Sequence, residues 1–142
     1  MRREEIVAAA RRWVGTPYRH QASRCQAGCD CLGLVRGVWR EVAGAEPEAV
    51  PAYSPDWAEA RGEETLLAAA RRHFVPADEV RPGALLLFRW KRGAPAKHAG
   101  IATGGGRLVH AYDAAGRAVE GRLAPVWSRR LAAVFDFPGV TD

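Results

Sequence analysis

The sequence predicts an α+β domain in which N-terminal helices pack on an antiparallel sheet. Apolar residues recur at helical spacing through the first half of the chain, as far as Phe74. After Pro82-Gly83 they form short runs instead, and two of these flank Gly104-Gly105-Gly106, which indicates a β-hairpin. Helices followed by strands are typical of α+β folds. The 142 residues fit a single domain, residues 1–142.

The helical part contains three predicted elements joined by loops. The first ends at Gly15-Thr16-Pro17, which stops a helix. An irregular loop over residues 18–30, rich in small and polar side chains, leads into the second, and prolines mark the connection to the third. The predicted helices cover residues 3–14, 31–42 and 56–74, the last with a break near Gly62.

The second half contains five predicted strands. The first is a continuous apolar run of the kind found in buried strands, and the next two form the glycine-linked hairpin. The predicted strands cover residues 84–88, 98–103, 107–112, 117–120 and 131–137.

The hairpin determines how two histidines are placed. Whether Thr103 faces Arg107 or the turn is tighter, His98 and His110 lie directly opposite or one step diagonal, on the same face. Their Cβ atoms are then about 4.5–5.5 Å or about 7–8 Å apart. Gly100 and Ala102 share this face, and we expect such small residues to let the second helix pack closely against it.

Cys31 is the first residue of that second helix. A helix N-terminus and a nearby imidazole both help to remove a thiol proton, and a nucleophilic cysteine requires that removal. We therefore predict that Cys31 meets His98, with His110 beside it. Cys25 and Cys29 are expected to be inert. Cys29 is the main rival nucleophile, but it precedes the helix and lacks its dipole. His20 and His73 are interpreted as loop and surface residues.

The charge and composition indicate which classes of binding partner to expect. The net charge of +5, from 21 basic and 16 acidic residues, favours anionic surroundings. The arginines are not interleaved with aromatic residues, so no nucleic-acid motif is present. No apolar run approaches the roughly 20 residues of a membrane span. The N-terminus lacks the apolar region of a secretory signal, so we expect synthesis in the cytoplasm. Three cysteines within residues 25–31 do not predict a disulfide framework.

Four motifs in order give the chain a family resemblance: Pro17-Tyr18-Arg19, then Asp30-Cys31-Leu32-Gly33, then His98 to Ile101, and Val109-His110-Ala111. With these motifs the chain resembles the NlpC-type cell-wall cysteine peptidases, which implies a compact papain-like fold. Two departures lie near the expected cleft. Leu32 replaces the usual serine, and residues 20–23 replace a Gly-Gly pair.

The motifs also predict a mechanism. Cys31 is the nucleophile, His98 the general base and then acid, and His110 the residue that orients His98. The backbone N–H of Cys31 and the Tyr18 hydroxyl would stabilise the oxyanion, although Tyr18 has an alternative role in packing alone. Asp30 is expected to cap the helix or bind the loop. No cofactor and no metal are expected.

The resemblance implies a substrate and a setting. The substrate would be peptidoglycan, cut between γ-D-glutamate and diaminopimelate. Residues 18–23 and 28–41 are similar to the phage-tail branch of the family, which includes gene transfer agents. This implies tail hub or tip proteins as partners, and a location in the particle tail with action in the cell wall of the recipient.

Three alternatives stay open. The first is a Cys-His acyltransferase or amidase acting on a substrate outside the wall. The second is a metal-binding module using Cys25, Cys29, Cys31 and a histidine, since zinc sites use closely spaced thiolates. The third is a structural tail-tip protein whose enzyme site is inactive.

Overall fold

The three longer helices come first along the chain and the strands of the main sheet afterwards, as the pattern predicts. The computed structural model describes residues 1–48 and 64–142. Within these residues the α-helices are α1 (Arg3–Arg11), α2 (Cys31–Val42), α3 (Thr65–His73) and the short α4 (Pro125–Ser128). The strands are β1 (Ser23–Arg24), β2 (Gly28–Cys29), β3 (Val75–Pro76), β4 (Leu85–Arg89), β5 (Ala96–Gly104), β6 (Arg107–Tyr112), β7 (Arg117–Arg122) and β8 (Leu131–Asp136).

Six of the strands form one sheet in the order β3-β8-β4-β5-β6-β7, and every neighbouring pair is antiparallel. The glycine-linked hairpin is β5–β6, in which Ile101 opposes Val109 and Ala102 opposes Leu108. The short strands β1 and β2 form a separate pair. The predicted α+β class, with helices on an antiparallel sheet, is confirmed.

The predicted helices are largely correct. The second has the predicted bounds, whereas the first ends at Arg11 rather than Val14. It ends early because the following residues turn to join β7: Gly15 donates its N–H to the Ala118 carbonyl at 2.9 Å, and Ala118 donates back to Thr16 at 2.8 Å. Helix α3 lies inside the predicted residues 56–74. Residues 56–63, with the predicted break near Gly62, lie outside the described residues.

The five predicted strands all form, and β6 has the predicted bounds. Strand β5 is longer at both ends than predicted and β7 extends two residues further. Strands β4 and β8 differ from their predicted bounds by one residue. Strands β1, β2 and β3 were not predicted, because two residues are too few to show an alternating pattern.

The sheet buries apolar side chains on both faces. The helix face packs against α1, α2 and α3 and includes Leu85, Leu87, Ala99, Ile101 and Val109. The opposite face, which we call the histidine face, is covered by residues from α4 and from the segment before it. Its apolar cluster consists of Ala84, Leu86, Phe88, Ala102 and Leu108 with Leu123, Trp127, Leu131 and Val134 packed against it.

The sheet face on which α2 packs differs from the expectation. His98 opposes Phe88 in the sheet and lies on the histidine face, together with Gly100 and Ala102. Helix α2 packs on the other face, where Ala99 and Ile101 supply a continuous apolar surface. A Cβ on Gly100 would lie 2.9 Å from Leu108 Cδ1, so side chains of β6 and not the helix fill the space beside this glycine.

The turn that follows α1 approaches α2 closely at one glycine. A Cβ on Gly37 would lie 1.9 Å from Cζ2 of Trp13, whose indole is buried. The flat indole therefore packs directly on the backbone of α2. This contact sets how closely the indole approaches the backbone of α2. In residues 1–48 and 64–142, no helix has the length and apolar character needed to span a bilayer.

Candidate active site

Asp30 fixes the start of α2. Its Oδ1 accepts the Gly33 N–H at 2.7 Å as the N-cap, and its Oδ2 accepts the Gln21 N–H at 2.7 Å. The carboxylate is buried, with 3 % of Asp30 exposed. Asp30 therefore both caps the helix and binds the preceding loop, which are the two structural roles that its sequence position predicted.

Gly33 brings that loop against the helix. A Cβ at this position would lie 1.8 Å from the carbonyl oxygen of Ala22, so any larger residue would displace the loop. Ser23 strengthens the contact by donating its hydroxyl to the Gly33 carbonyl at 2.6 Å. This close contact explains why the Asp30-Cys31-Leu32-Gly33 motif has a glycine at its last position.

The thiol of Cys31 lies against the backbone of β5, with Sγ 3.8 Å from the Lys97 carbonyl oxygen. Burial, followed by the Asp30 carboxylate, raises the pKa of this thiol to about 12. The N–H groups of Ala99, Leu32 and Cys31 act in the opposite direction. The predicted influence of the helix start is present, but it is smaller than the cost of burying a thiolate.

His98 and His110 form a direct hydrogen bond, with 2.8 Å between His98 Nε2 and His110 Nδ1. Because Ile101 opposes Val109, the two histidines are diagonal neighbours on one face, as predicted. Both are buried, at 1 % and 2 % exposure. Burial and then the neighbouring His110 lower the pKa of His98 well below its usual value, and burial lowers the pKa of His110 to about 4.

Aromatic rings enclose the two imidazoles. The ring centroid of Trp90 lies 4.8 Å from that of His98. Trp127, at the end of the short helix α4, lies 5.3 Å from His98 and 4.7 Å from His110. The sequence reasoning missed both tryptophans. Alternation along β4 does not place Trp90, because this residue follows the end of the strand and a register irregularity lies between Phe88 and Arg89.

A cavity of about 240 Å³ joins the thiol to the imidazole. The structure thus brings Cys31, His98 and Tyr18 to one cavity, and it places His110 behind His98 rather than on the cavity wall. The lining residues are Tyr18, His20, Asp30, Cys31, Leu32, Leu66, Trp90, Lys97, His98, Ala111, Tyr112 and Asp113.

Tyr18 is half-buried at the rim of the cavity, and its N–H donates to the Gly116 carbonyl at 2.9 Å. Burial, followed by electrostatic interaction with Cys31 and Asp30, raises the pKa of its phenol to about 12. The hydroxyl is therefore protonated at neutral pH and can donate a hydrogen bond. Whether it donates to an oxyanion stays a prediction.

The three cysteines have different surroundings. Cys29 is fully buried in the core beneath the helix face, and burial raises its pKa to about 12. Cys25 is exposed and donates its thiol to the Arg12 carbonyl at 3.3 Å. In the part of the chain that the structure describes, no group of three histidine, cysteine or acidic side chains is arranged to hold a metal ion.

The remaining two histidines differ from each other. His73 contacts Glu48 through Nε2 at 2.8 Å, away from the cavity. His20 lines the cavity, with its Nδ1 3.9 Å from Asp30 Oδ2. Sequence reasoning placed His20 in the loop correctly but missed this position, because a loop without alternation gives no direction for its side chains.

Residues 15–135 match the model of the family described as NlpC/P60 family. The chain belongs to the NlpC/P60 family. It is 30% identical over 118 residues to murein DD-endopeptidase MepS/murein LD-carboxypeptidase of Escherichia coli (strain K12), covering 83% of this chain and 54% of that protein. It is 26% identical over 136 residues to gamma-DL-glutamyl hydrolase of Bacillus subtilis (strain 168), covering 96% of this chain and 30% of that protein.

Solved structures of the family share the fold. The NlpC/p60 domain of the peptidoglycan hydrolase SagA superposes with a TM-score of 0.64 at 23% identity, covering 96% of this chain and all of that one. An NlpC/P60 family protein from Bacillus cereus gives a TM-score of 0.70 at 18% identity, covering 96% of this chain and 40% of that one. The predicted fold family is confirmed, and peptidoglycan hydrolases of this family are cysteine peptidases, the predicted class.

The NlpC/P60 chain described here spans about half or less of the length of the curated relatives it matches. The similarity therefore concerns the domain that carries Cys31 and His98. These relatives do not test the predicted resemblance to the phage-tail branch.

Proposed function

We propose that this NlpC/P60 domain is a peptidoglycan hydrolase, a cysteine peptidase that cleaves amide bonds of the stem peptide. One observation supports it above all others: Cys31 and His98 line one cavity, and His98 is hydrogen-bonded through Nε2 to His110 at 2.8 Å. A nucleophile, a base and a group that orients the base are the parts that covalent acyl transfer requires.

The hydrogen bond between the histidines assigns their protons. A general base needs a free lone pair, and Nδ1 is the nitrogen of His98 that His110 leaves available. His98 then carries its proton on Nε2 and donates it to His110 Nδ1. With a pKa of about 4, His110 is neutral at physiological pH and remains an acceptor when His98 becomes charged.

The direction of the pKa shifts indicates how the thiol is activated. The raised pKa of Cys31 and the lowered pKa of His98 favour a neutral thiol and a neutral imidazole at rest. Proton transfer to His98 therefore accompanies attack on the substrate carbonyl instead of preceding it. The imidazolium then gives this proton to the leaving amine, and water releases the acyl-enzyme.

The oxyanion faces two donors in this proposal. The N–H of Cys31 lies at the start of α2, where helical N–H groups lack partners within the helix. The Tyr18 hydroxyl, protonated because its pKa is about 12, lines the same cavity. Together they would stabilise the negative charge that develops on the carbonyl oxygen.

For the bond cleaved, we propose the amide between γ-D-glutamate and diaminopimelate. Support comes from the motif resemblance and from the similarity to a protein named gamma-DL-glutamyl hydrolase. Mass spectrometry of muropeptides after digestion of purified peptidoglycan tests it. We expect new products ending in γ-D-glutamate from the native protein and none from Cys31→Ala.

The same digest separates the alternative of an acyltransferase or amidase that acts outside the wall. Such an enzyme would leave peptidoglycan unchanged while hydrolysing or transferring small acyl donors. An inactive structural protein would give no products with either substrate. New free amino groups in the wall digest, absent with Cys31→Ala, support hydrolysis.

We also propose that the domain acts in the tail of a phage-like particle, made in the cytoplasm and delivered to the recipient's cell wall with tail hub or tip proteins. Support comes from the similarity of residues 18–23 and 28–41 to that branch of the family. Particles purified from the source cell should contain the chain in a fixed ratio to tail proteins. Its presence only in the particle-free fraction would contradict this.

A further inference from the structure

Beside the proposed active site, two short basic segments meet on the surface. One follows β4 and contains Lys91 and Arg92, and the other joins α4 to β8 and contains Arg129 and Arg130. The Arg89 N–H donates to the Arg130 carbonyl at 2.8 Å, so a backbone hydrogen bond holds the segments together. Residues distant in the sequence thereby form one cationic surface.

These segments line a groove of about 760 Å³, which we call the basic groove; its walls are residues 89–93 and 129–131. Lys91, Arg92 and Arg129 are exposed. No carboxylate among the described residues pairs with any of these three, whereas Arg89 is bound to Glu64 at 2.6 Å. The groove thus presents positive charge that the described part of the protein does not neutralise.

The basic groove adjoins the active-site cavity. Trp90 lines both, and its ring packs on His98 with 4.8 Å between centroids. On the second segment, the guanidinium carbon of Arg130 lies 5.9 Å from the centroid of the Trp127 ring. Trp127 also packs on both histidines. A single extended ligand can therefore occupy the groove and reach Cys31.

We infer that the basic groove binds the free α-carboxylate of the γ-linked glutamate whose amide bond is cleaved at Cys31. This rests on the proposed function. Because glutamate is joined through its γ-carboxyl, its α-carboxylate remains free and negatively charged. Arg92 and Arg129 are the cations we assign to this recognition, since they are exposed on the two different segments.

The test compares two synthetic stem peptides that differ only in the α-carboxylate of glutamate, free in one and replaced by a neutral carboxamide in the other. The variant Arg92→Ala/Arg129→Ala should lower kcat/KM for the acid peptide about five- to tenfold, the effect of two partly exposed ion pairs. The amide peptide should be almost unaffected. The loss should shrink at high salt, because exposed charges are screened.

The control is Arg24→Ala/Arg122→Ala, which removes the same charge from exposed positions outside both cavities. An equal loss in both double variants would assign the effect to net charge and overturn the inference. An equal loss on both peptides would do the same, because carboxylate recognition requires a difference between them.

Binding measured by calorimetry in the Cys31→Ala background separates this inference from the proposed function. Tighter binding of the acid peptide, lost with Arg92→Ala/Arg129→Ala, supports the groove even if the native protein hydrolyses neither peptide. Equal binding of the two peptides contradicts it even if both are hydrolysed. Preferential binding of a glycerol-phosphate oligomer through the same arginines would overturn the inference, because the groove would then recognise a phosphodiester polymer and not a carboxylate.

Discussion

Both faces of the central sheet are buried, but they contain different chemistry. The helix face is an apolar surface of leucine, isoleucine, valine and alanine against three helices. The histidine face buries His98 and His110 among Phe88, Trp90 and Trp127. Neighbouring residues of one strand, Val109 and His110, therefore serve opposite faces. Comparing the two faces separates the residues that stabilise the domain from those to which we assign catalysis.

The largest effect should come from replacing Cys31, which lines the cavity. Cys29, which is buried in the core on the helix face, provides the comparison. Cys31→Ala should lower turnover on peptidoglycan about a thousandfold or more, because the nucleophile is lost. Cys29→Ala should retain most activity and lower the free energy of unfolding by about 1 kcal/mol. Muropeptide release and urea denaturation measure the two quantities. Reversed behaviour of the variants would assign the nucleophile to Cys29.

The next-largest effect should come from replacing His110, with replacement of Val109 as the comparison. His110→Ala should lower kcat about a hundredfold by releasing the orientation of His98, and His110→Asn should restore part of it, since its amide oxygen can accept the Nε2–H. Val109→Ala should retain kcat and lower the free energy of unfolding by about 2 kcal/mol. Equal kcat in His110→Ala and native protein would show that the hydrogen bond at 2.8 Å is only structural.

Gly37→Ala tests the helix face alone. The added methyl would overlap the Trp13 indole, so we expect a loss of about 1–3 kcal/mol in the free energy of unfolding. Activity per folded molecule should change little, because α2 has to shift only slightly as a whole. Gly44→Ala is unsuitable as a control, since Gly44 has a φ of 94°, and Gly121→Ala, with no atom within 4 Å of the added Cβ, serves instead. Equal stability of both variants would contradict the close packing of Trp13 on α2.

The last comparison is a difference in slope: the histidine face should make stability depend on pH. The folded pKa values of His98 and His110 lie below the unfolded value near 6.5. As pH falls from 6.5 towards 4, the unfolded chain therefore binds protons that the folded protein does not, and stability decreases. Each histidine contributes up to about 1.4 kcal/mol per pH unit.

Urea denaturation across this pH range should show a shallower decline for His110→Asn than for the native protein. Val109→Ala should decline with the native slope, since it removes no titrating group. Identical slopes in all three proteins would contradict the burial of a neutral His110.

The sequence predicted much of this structure, and its omissions have physical causes. Alternation along the hairpin placed His98 and His110 on one face, and the apolar spacing gave α2 its correct bounds. Alternation does not determine which face a helix covers. The expected packing of α2 on Gly100 was therefore wrong, because the surface of Ala99 and Ile101 is the more continuous apolar one.

The site was predicted less completely than the fold. Cys31 and His98 carry recognisable chemistry, whereas Trp90 and Trp127 act by enclosing imidazoles and have no motif of their own. The pKa of Cys31 could not be inferred from its place at a helix start, since the burial that raises it depends on tertiary packing. The cavity position of His20 likewise depends on how Asp30 and Gly33 fold the loop.

Covalent labelling with an electrophilic stem peptide tests the central claim most directly. Peptide mapping of the native protein should locate the adduct on Cys31 in preference to the exposed Cys25, with labelling about a hundredfold slower in His98→Ala, the usual scale for loss of a general base. Labelling of Cys29 in place of Cys31, or an unchanged rate without His98, would contradict the assignment of this thiol and this base.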